Sequence, residues 1–248
     1  MSPDFDAPKD ILTRHLLAEG KSPDYVEGQI KMLFDLDGYR SRFAFTDPII
    51  PNECKGNLLI SGASVGGEIQ VALESGYSKV TATEVLGIYC DICRDRFRGN
   101  DQVFIAHYDG GLLPFSENSF DTVMTCHIIE HTSDPEKYLL EHLRVLRTGG
   151  HIFLEFPTRF HYKELHTGVP SVEWLPIRLR SFVIKMLVSD ISPLSRKAKT
   201  HYRTIKKTLS PVSWLQIRSW LSKNDAKTRL IALERPARGI VRLVLEKI

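Results

Sequence analysis

Leu58-Leu59-Ile60-Ser61-Gly62-Ala63-Ser64-Val65-Gly66-Gly67-Glu68 is the stretch that decides the fold. Its first four residues form a short apolar run, as expected of a strand buried on both faces. Glycines 62, 66 and 67 then let the backbone turn sharply and let a ligand approach closely. A helix follows to about Ser75. The glycine spacing is G-x-x-x-G with one more glycine immediately after. That differs from the G-x-G-x-x-G of a dinucleotide fingerprint and argues against a nicotinamide-dependent dehydrogenase. Taken alone, the turn is also what any tight strand-to-helix connection favours.

Outward from this turn, strands and helices alternate. Lys79–Glu84 reads as a second strand, Val85–Arg98 as a helix, Gln102–Ala106 as a third strand and Phe120–Cys126 as a fourth. Asp134–Leu146 reads as a helix, with Asp134 as cap and Pro135 at its first position. Gly149-Gly150 is expected to end that helix before a fifth strand, His151–Phe156. Units of this kind build a parallel sheet with helices on both faces. A helix from Ser210-Pro211 to Ser222 precedes two last strands, Thr228–Leu233 and Ile240–Leu245. Their short link predicts an antiparallel pair. Upstream, Lys9–Glu19 and Pro23–Asp37 read as helices, the second opened by Ser22-Pro23-Asp24, and Thr46–Gly56 reads as a linker. The expected organisation is an N-terminal helical segment with linker over 1–52 and one main domain over 53–248. A lid or substrate insertion occupies about 157–209.

With 248 residues the chain is long enough to bury a full core. Its net charge of +3 is too small to imply nucleic-acid binding. The bases concentrate between Ile177 and Lys207, where Asp190 is the only acid. Such a tract suits a solvated face, a phosphate or an anionic membrane surface. The polar, acidic start at Met1–Asp10 does not read as a signal peptide, and no apolar run reaches membrane-span length. The expected location is therefore cytoplasmic, with peripheral membrane contact through 177–207 allowed, and the four cysteines should be free thiols. Cys90 and Cys93 form a C-x-x-C with no second pair, so buried apolar roles are expected rather than zinc.

Three features follow three successive strands. The first is the glycine turn. The second is Glu84, whose ionised carboxylate is a pure acceptor suited to a ribose diol. The third is Tyr108-Asp109-Gly110-Gly111-Leu112-Leu113-Pro114-Phe115, where Asp109 can accept from an exocyclic amine. Open α/β sheets bind ligands at these strand ends. His127-Ile128-Ile129-Glu130-His131 spells the inverted zinc-protease motif, but that site needs both histidines on one helix face. Here the motif falls on a strand exit, so no metal is expected.

Leu58 to Pro157 resembles the class I methyltransferases that use S-adenosylmethionine (SAM), especially the small-molecule and lipid methyltransferases with an LPF loop. The resemblance is carried by the glycine turn, Glu84, Asp109, Leu113-Pro114-Phe115, Ser119-Phe120-Asp121, Glu130-His131, Asp134-Pro135 and Arg144-Val145-Leu146-Arg147-Thr148-Gly149-Gly150. It implies a Rossmann-like α/β fold with seven strands in the order 3-2-1-4-5-7-6, strand 7 being antiparallel. It also implies a turn around the methionine part of SAM, Glu84 on the ribose and Asp109 on the adenine amine. The implied cofactor set is Ser61, Gly62, Ala63, Gly66, Glu84, Val85, Tyr108, Asp109, Gly110, Cys126 and His127. Two positions depart from the pattern. Ile60 stands where the family usually has an acid, and Ser64 replaces the middle glycine. Glu68 is the nearby acid that can stand in.

SAM is already a reactive methyl donor, so the protein mainly has to align an acceptor and exclude water. His127 is the candidate general base or acceptor-positioning group. His131, His161, Tyr162, His166 and Trp174 are candidate substrate residues, because histidines and aromatics there can stack on a ring and bind hydroxyls. The loop around them is similar to those of methyltransferases encoded among polysaccharide or glycolipid genes. The expected reaction is O-methylation of a small-molecule or glycan hydroxyl. Its acceptor would be a small molecule, a sugar or a lipid-linked compound, and a homodimer is allowed. The alternatives are N- or C-methylation of a small metabolite, or a SAM-fold binding or partner protein without turnover. No Asn/Asp-Pro-Pro-Tyr/Phe signature follows the fourth strand, which argues against nucleic-acid bases as acceptors.

Overall fold

The computed structural model describes residues 6–157, 212–235 and 239–248, with residues 179, 182, 183 and 186 as isolated positions between them. The elements are α1 (Asp6–Ala18), α2 (Pro23–Phe34), α3 (Asp37–Thr46), β1 (Asn57–Ser61), α4 (Gly67–Glu74), β2 (Lys79–Glu84) and α5 (Gly87–Arg96). They continue with β3 (Val103–His107), β4 (Phe120–Cys126), α6 (Pro135–Val145), β5 (Leu146–Pro157), α7 (Trp214–Lys223), β6 (Thr228–Glu234) and β7 (Ile240–Lys247). The strands form one mixed seven-stranded sheet in the order β3-β2-β1-β4-β5-β7-β6. This is the expected Rossmann-like order.

The chain divides into two compact units. One comprises Met1–Thr125, His142–Phe153 and Glu246–Ile248; the other comprises Cys126–Glu141 and Leu154–Leu245. In the first unit, β1 is buried throughout from Leu58 to Ser61, as its apolar run requires. Ser61 pairs with Thr83 of β2 on one side and Thr125 of β4 on the other, both in parallel register. Glu84 in turn pairs with His107 of β3. Parallel register therefore brings the glycine turn, Glu84 and the Tyr108-Asp109 loop out at the same sheet edge.

Three sequence expectations need correction. The segment after α2 holds a third helix, α3, instead of an extended Pro23–Asp37 helix. Asp37–Thr46 has no capping side chain at Leu36, so the usual start signal is missing. Gly149-Gly150 does not end a helix. The helix stops at Val145 and both glycines lie within β5, where a Cβ on Gly150 would sit 2.7 Å from the Asp121 carbonyl oxygen. Gly150 thus permits close strand approach. Finally, α7 starts at Trp214, later than expected, capped by Ser213 accepting from the Gln216 amide at 3.3 Å; Ser210 and Pro211 lie outside the described residues. Other cues hold: Ser22 caps α2, and Asp134 accepts from the Lys137 amide at 3.0 Å before α6.

In the first unit the N-terminal helices pack against the glycine turn and α5. Leu12 and Leu16 of α1, Val26 of α2, Val65 of the glycine turn and Ile92 of α5 form one buried apolar cluster. Gly66 caps α4 in the left-handed region, with φ of 81°. A Cβ there would lie 2.7 Å from the Phe97 ring. Gly66→Ala should therefore combine left-handed strain with overpacking and lower the unfolding free energy by about 1–3 kcal/mol, read as a lower urea midpoint.

Candidate functional site

In the first unit, the end of β2 organises the site. The Glu84 carboxylate accepts three backbone N–H groups. Oε2 receives Ser64 at 2.9 Å; Oε1 receives Val85 at 2.8 Å and Leu86 at 3.1 Å. A carboxylate offers about four acceptor positions, so the fixed group keeps capacity for a ligand hydroxyl. The Gly62 and Ala63 amides bond to the Thr83 carbonyl at 2.9 and 3.1 Å, which ties the turn to the neighbouring strand. Ser64, at the departure from the family pattern, has φ of 48°, the left-handed conformation that glycine adopts freely. It is held there by its bond to Glu84 and by the Cys93 thiol on its carbonyl at 3.2 Å. Burial pushes the Cys93 thiol up to about 12, consistent with a packing role for this C-x-x-C. All four cysteines are buried and free.

Beside Glu84, Val85 and Leu86 are each 51% exposed, an apolar ledge after an acceptor. Asp109 is exposed and folds its Oδ1 onto the Gly111 amide at 2.9 Å. Tyr108 is buried, donates its hydroxyl to the Gly111 carbonyl at 2.8 Å and bonds through its amide to the Glu84 carbonyl at 3.0 Å. Gly110 sits at φ of 87° in this loop. Thus Ser61, Gly62, Ala63, Gly66, Glu84, Val85, Tyr108, Asp109 and Gly110 share one edge of one unit. Carboxylates at two strand ends, an apolar ledge and open glycine backbone fit an adenosine with a charged tail.

The second unit contains the other candidates. Cys126 is buried at the end of β4. His127 follows with φ of 57°, strained for a non-glycine residue. Its amide donates to the Glu155 carbonyl at 2.8 Å. Its Nε2 lies 3.0 Å from Glu155 Oε1 and its Nδ1 3.5 Å from Glu130 Oε1. Glu155 also receives Arg242 Nε at 2.6 Å, and Arg242 reaches Glu234 at 3.5 Å. Burial disfavours the imidazolium, but the two glutamates outweigh it and raise His127 to about 9. His127 is therefore a cation near neutral pH. At 3.5 Å the Glu130 contact is electrostatic, and among the described residues neither Glu130 oxygen accepts a hydrogen bond, although the side chain is 1% exposed. His131, half exposed, lies 3.9 Å from Glu130. Ile129–His131 is a single 3-10 turn, so the two histidines do not share an α-helix face and the protease geometry is absent. His161, Tyr162, His166, Trp174 and the basic tract fall outside the described residues.

Residue patterns missed Glu155, Arg242, Arg42 and Arg96. Glu155 carried a signal, a lone carboxylate inside an apolar strand. The partner Arg242 is 87 residues away, beyond any local pattern.

Residues 59–154 match the family described as a methyltransferase domain. The chain carries a class I SAM-dependent methyltransferase domain. Over 118 residues it is 33% identical to a demethylmenaquinone methyltransferase of Clavibacter sepedonicus, covering 47% of each chain. It thus spans about half the length of that curated relative. Its fold is similar to a SAM-dependent methyltransferase structure from Mesorhizobium loti, with a TM-score of 0.60 at 13% identity over 86% of this chain and 100% of that one. A SAM-dependent methyltransferase from Aquifex aeolicus gives a TM-score of 0.57 at 13% identity, over 97% and 98%. The cofactor of the methyltransferase domain is SAM, and the edge chemistry around Glu84 fits it.

The histidine titration is directly testable. A group whose folded value is raised contributes stability in full below its ordinary 6.5 and loses it as pH rises through about 9. NMR of the His127 ring should show it charged at pH 7.5. Glu155→Gln should move its titration down by at least one unit and flatten the stability loss between pH 7 and 9.5.

Proposed function

We propose that this chain transfers the methyl group of SAM to a hydroxyl of a small molecule, sugar or lipid-linked acceptor. The observation that supports it best is Glu84, fixed by three backbone donors with acceptor capacity left over at the edge where the glycine turn begins. Bound SAM supplies an electrophilic methyl on its sulfonium. On this reading the glycine turn holds the methionine end, Glu84 the ribose, Asp109 the adenine amine, and Val85 with Leu86 the face of the base.

The role of His127 follows from its charge. An imidazolium at neutral pH has no lone pair with which to abstract a proton, so His127 serves as a positioning group and not as a base. The acceptor lone pairs in that cluster belong to Glu130, whose buried oxygens accept no hydrogen bond among the described residues and face the His127 and His131 rings at 3.5 and 3.9 Å. A hydroxyl is a neutral donor that would satisfy them without adding charge. His161, Tyr162, His166 and Trp174 remain candidates for contacting the acceptor body, and the 177–207 tract for a phosphate or membrane surface. The named relative is a demethylmenaquinone methyltransferase; N- or C-methylation of a small metabolite is the second reading.

Calorimetry with S-adenosylhomocysteine tests the cofactor half. Micromolar binding is expected, and Glu84→Ala should weaken it by about 2–4 kcal/mol, or about 30- to 1,000-fold. Absence of binding would contradict the assignment. Methyl transfer from labelled SAM to a phenol, a hydroquinone and a glycoside, with product mass and position determined, tests the acceptor half. A new carbon-bound methyl would overturn O-methylation in favour of the second reading.

A further inference from the structure

The sheet begins at β3, whose outer edge meets no strand among the described residues. Its inner edge is committed to β2. The Val80 amide donates to the Gln102 carbonyl at 2.8 Å, and the Tyr108 amide to the Glu84 carbonyl at 3.0 Å. In a parallel ladder alternate residues turn their backbone groups the same way. Gln102, Phe104, Ala106 and Tyr108 therefore face β2, while Val103, Ile105 and His107 present theirs outward. The Val103 amide also bonds locally, to the Asn100 carbonyl at 3.3 Å. Soluble proteins commonly blunt such an edge with a lysine, a proline or a bulge. β3 reads Val-Phe-Ile-Ala-His, with neither lysine nor proline, and Phe104 is 60% exposed.

The surface beside this edge carries both signs of charge in a set order. Asp91, Arg94 and Asp95 of α5, with Arg98 just after it, form one row, because positions three and four apart are neighbours on a helix. Arg94 pairs with Asp91 at 3.1 Å and Arg98 with Asp95. Asp91, Arg94 and Arg98 are exposed and Asp95 is half-buried. Arg94 and Arg98 line a groove with Phe97, Val103, Phe104 and Ile105, so the row runs level with the β3 edge. It reads acid, base, acid, base, and turned end for end it reads base, acid, base, acid. Exposed pairs within one helix contribute little. A row that complements itself under two-fold rotation is what an interface between identical copies requires.

We propose that this surface joins two copies of the chain about a two-fold axis, β3 pairing antiparallel with β3 and α5 lying beside α5. Across the axis Asp91 meets Arg98 of the second copy, and Arg94 meets its Asp95. The register follows from the strand. Hydrogen-bonded and non-bonded pairs alternate in an antiparallel ladder, so a two-fold axis must fall on a residue that faces itself. With the axis at Phe104, the outward groups of Val103 meet those of Ile105 in the second copy. Phe104 then faces Phe104 at the closer, non-hydrogen-bonded spacing, where an aromatic pair interacts well. Asp101 lies opposite His107 of the second copy. Moving the axis to Ile105 sets Phe104 against Ala106 and Val103 against His107, and loses both matches.

Sedimentation equilibrium of the full chain tests it, at concentrations from about 1 to 200 µM, which span weak to moderate interfaces. The wild-type mass should rise toward twice the 28.2 kDa of one copy. Phe104→Lys should weaken the dimer at least tenfold. Two charge variants identify the surface. Arg94→Glu with Arg98→Glu makes the row wholly acidic, and Asp91→Arg with Asp95→Arg makes it wholly basic. Each alone should weaken the dimer at least tenfold, and an equal mixture of the two should restore it as a mixed dimer in native mass spectrometry. Hydrogen exchange needs no variant: the Ile105 and His107 amides should exchange more slowly as the wild-type concentration rises. A wild-type chain that keeps the single mass throughout would overturn the proposal. So would a dimer that these variants leave unchanged, or Ile105 and His107 exchange independent of concentration in a chain that does dimerise.

Discussion

The Glu84 carboxylate collects the amides of Ser64, Val85 and Leu86, and this single buried acceptor joins the exit of β2 to the turn after β1. The consequences spread in both directions. Ser64 is held in a left-handed conformation that its side chain disfavours, so a serine can occupy a glycine position. Val65 is then directed into the cluster with Leu12, Leu16, Val26 and Ile92, which brings the N-terminal helices onto the turn. Parallel register carries the same edge across to Tyr108 and Asp109. A carboxylate fixed by backbone donors is pre-organised to accept from a ligand hydroxyl, because little reorganisation is left to do when the ligand arrives.

The second unit is built around a different electrostatic device. Arg242, Glu155, His127 and Glu130 alternate in charge from β7 through β5 to the exit of β4. Arg242 fixes Glu155, Glu155 fixes His127 by both its carbonyl and its carboxylate, and the strained His127 backbone is the result. Removing one member would leave a buried charge without its match, which costs far more than the net value of the pair. That dependence explains why a histidine one residue past a buried strand is charged at neutral pH. Residue type alone leaves both a base and an acceptor-positioning group open for it.

Much of this was legible in the chain. The apolar run to Ser61, the glycines and the acid ending Lys79–Glu84 specify a strand, a sharp turn and a second strand end by local chemistry; the alternation of elements implied a parallel sheet, and its strand order came from the family resemblance. Local signals failed where the determining contact was distant or a cue was absent. Helix α3 opens at Leu36 without a capping hydrogen bond from that side chain and contains Gly38, so no local signal marked it as a helix separate from Pro23–Asp37. Gly149 and Gly150 look like a helix stop, yet they lie within β5, Gly149 at φ of 74° and Gly150 against the Asp121 carbonyl across the sheet. The partners Arg42–Glu68 and Glu155–Arg242 are separated by 26 and 87 residues, and only packing brings them together. Ser64 presented as a defect in the turn because nothing in the sequence reveals that Glu84 supports its backbone.

The central claim is that Glu84 and the glycine turn hold an adenosine by its ribose. A crystal structure of the protein with S-adenosylhomocysteine tests it most directly. Both ribose hydroxyls should lie within hydrogen-bonding distance of the Glu84 carboxylate, with the adenine amine directed at Asp109 and the three backbone donors to Glu84 retained. A nucleoside bound away from Glu84, or a Glu84 carboxylate that turns from the ligand while its backbone bonds persist, would contradict it.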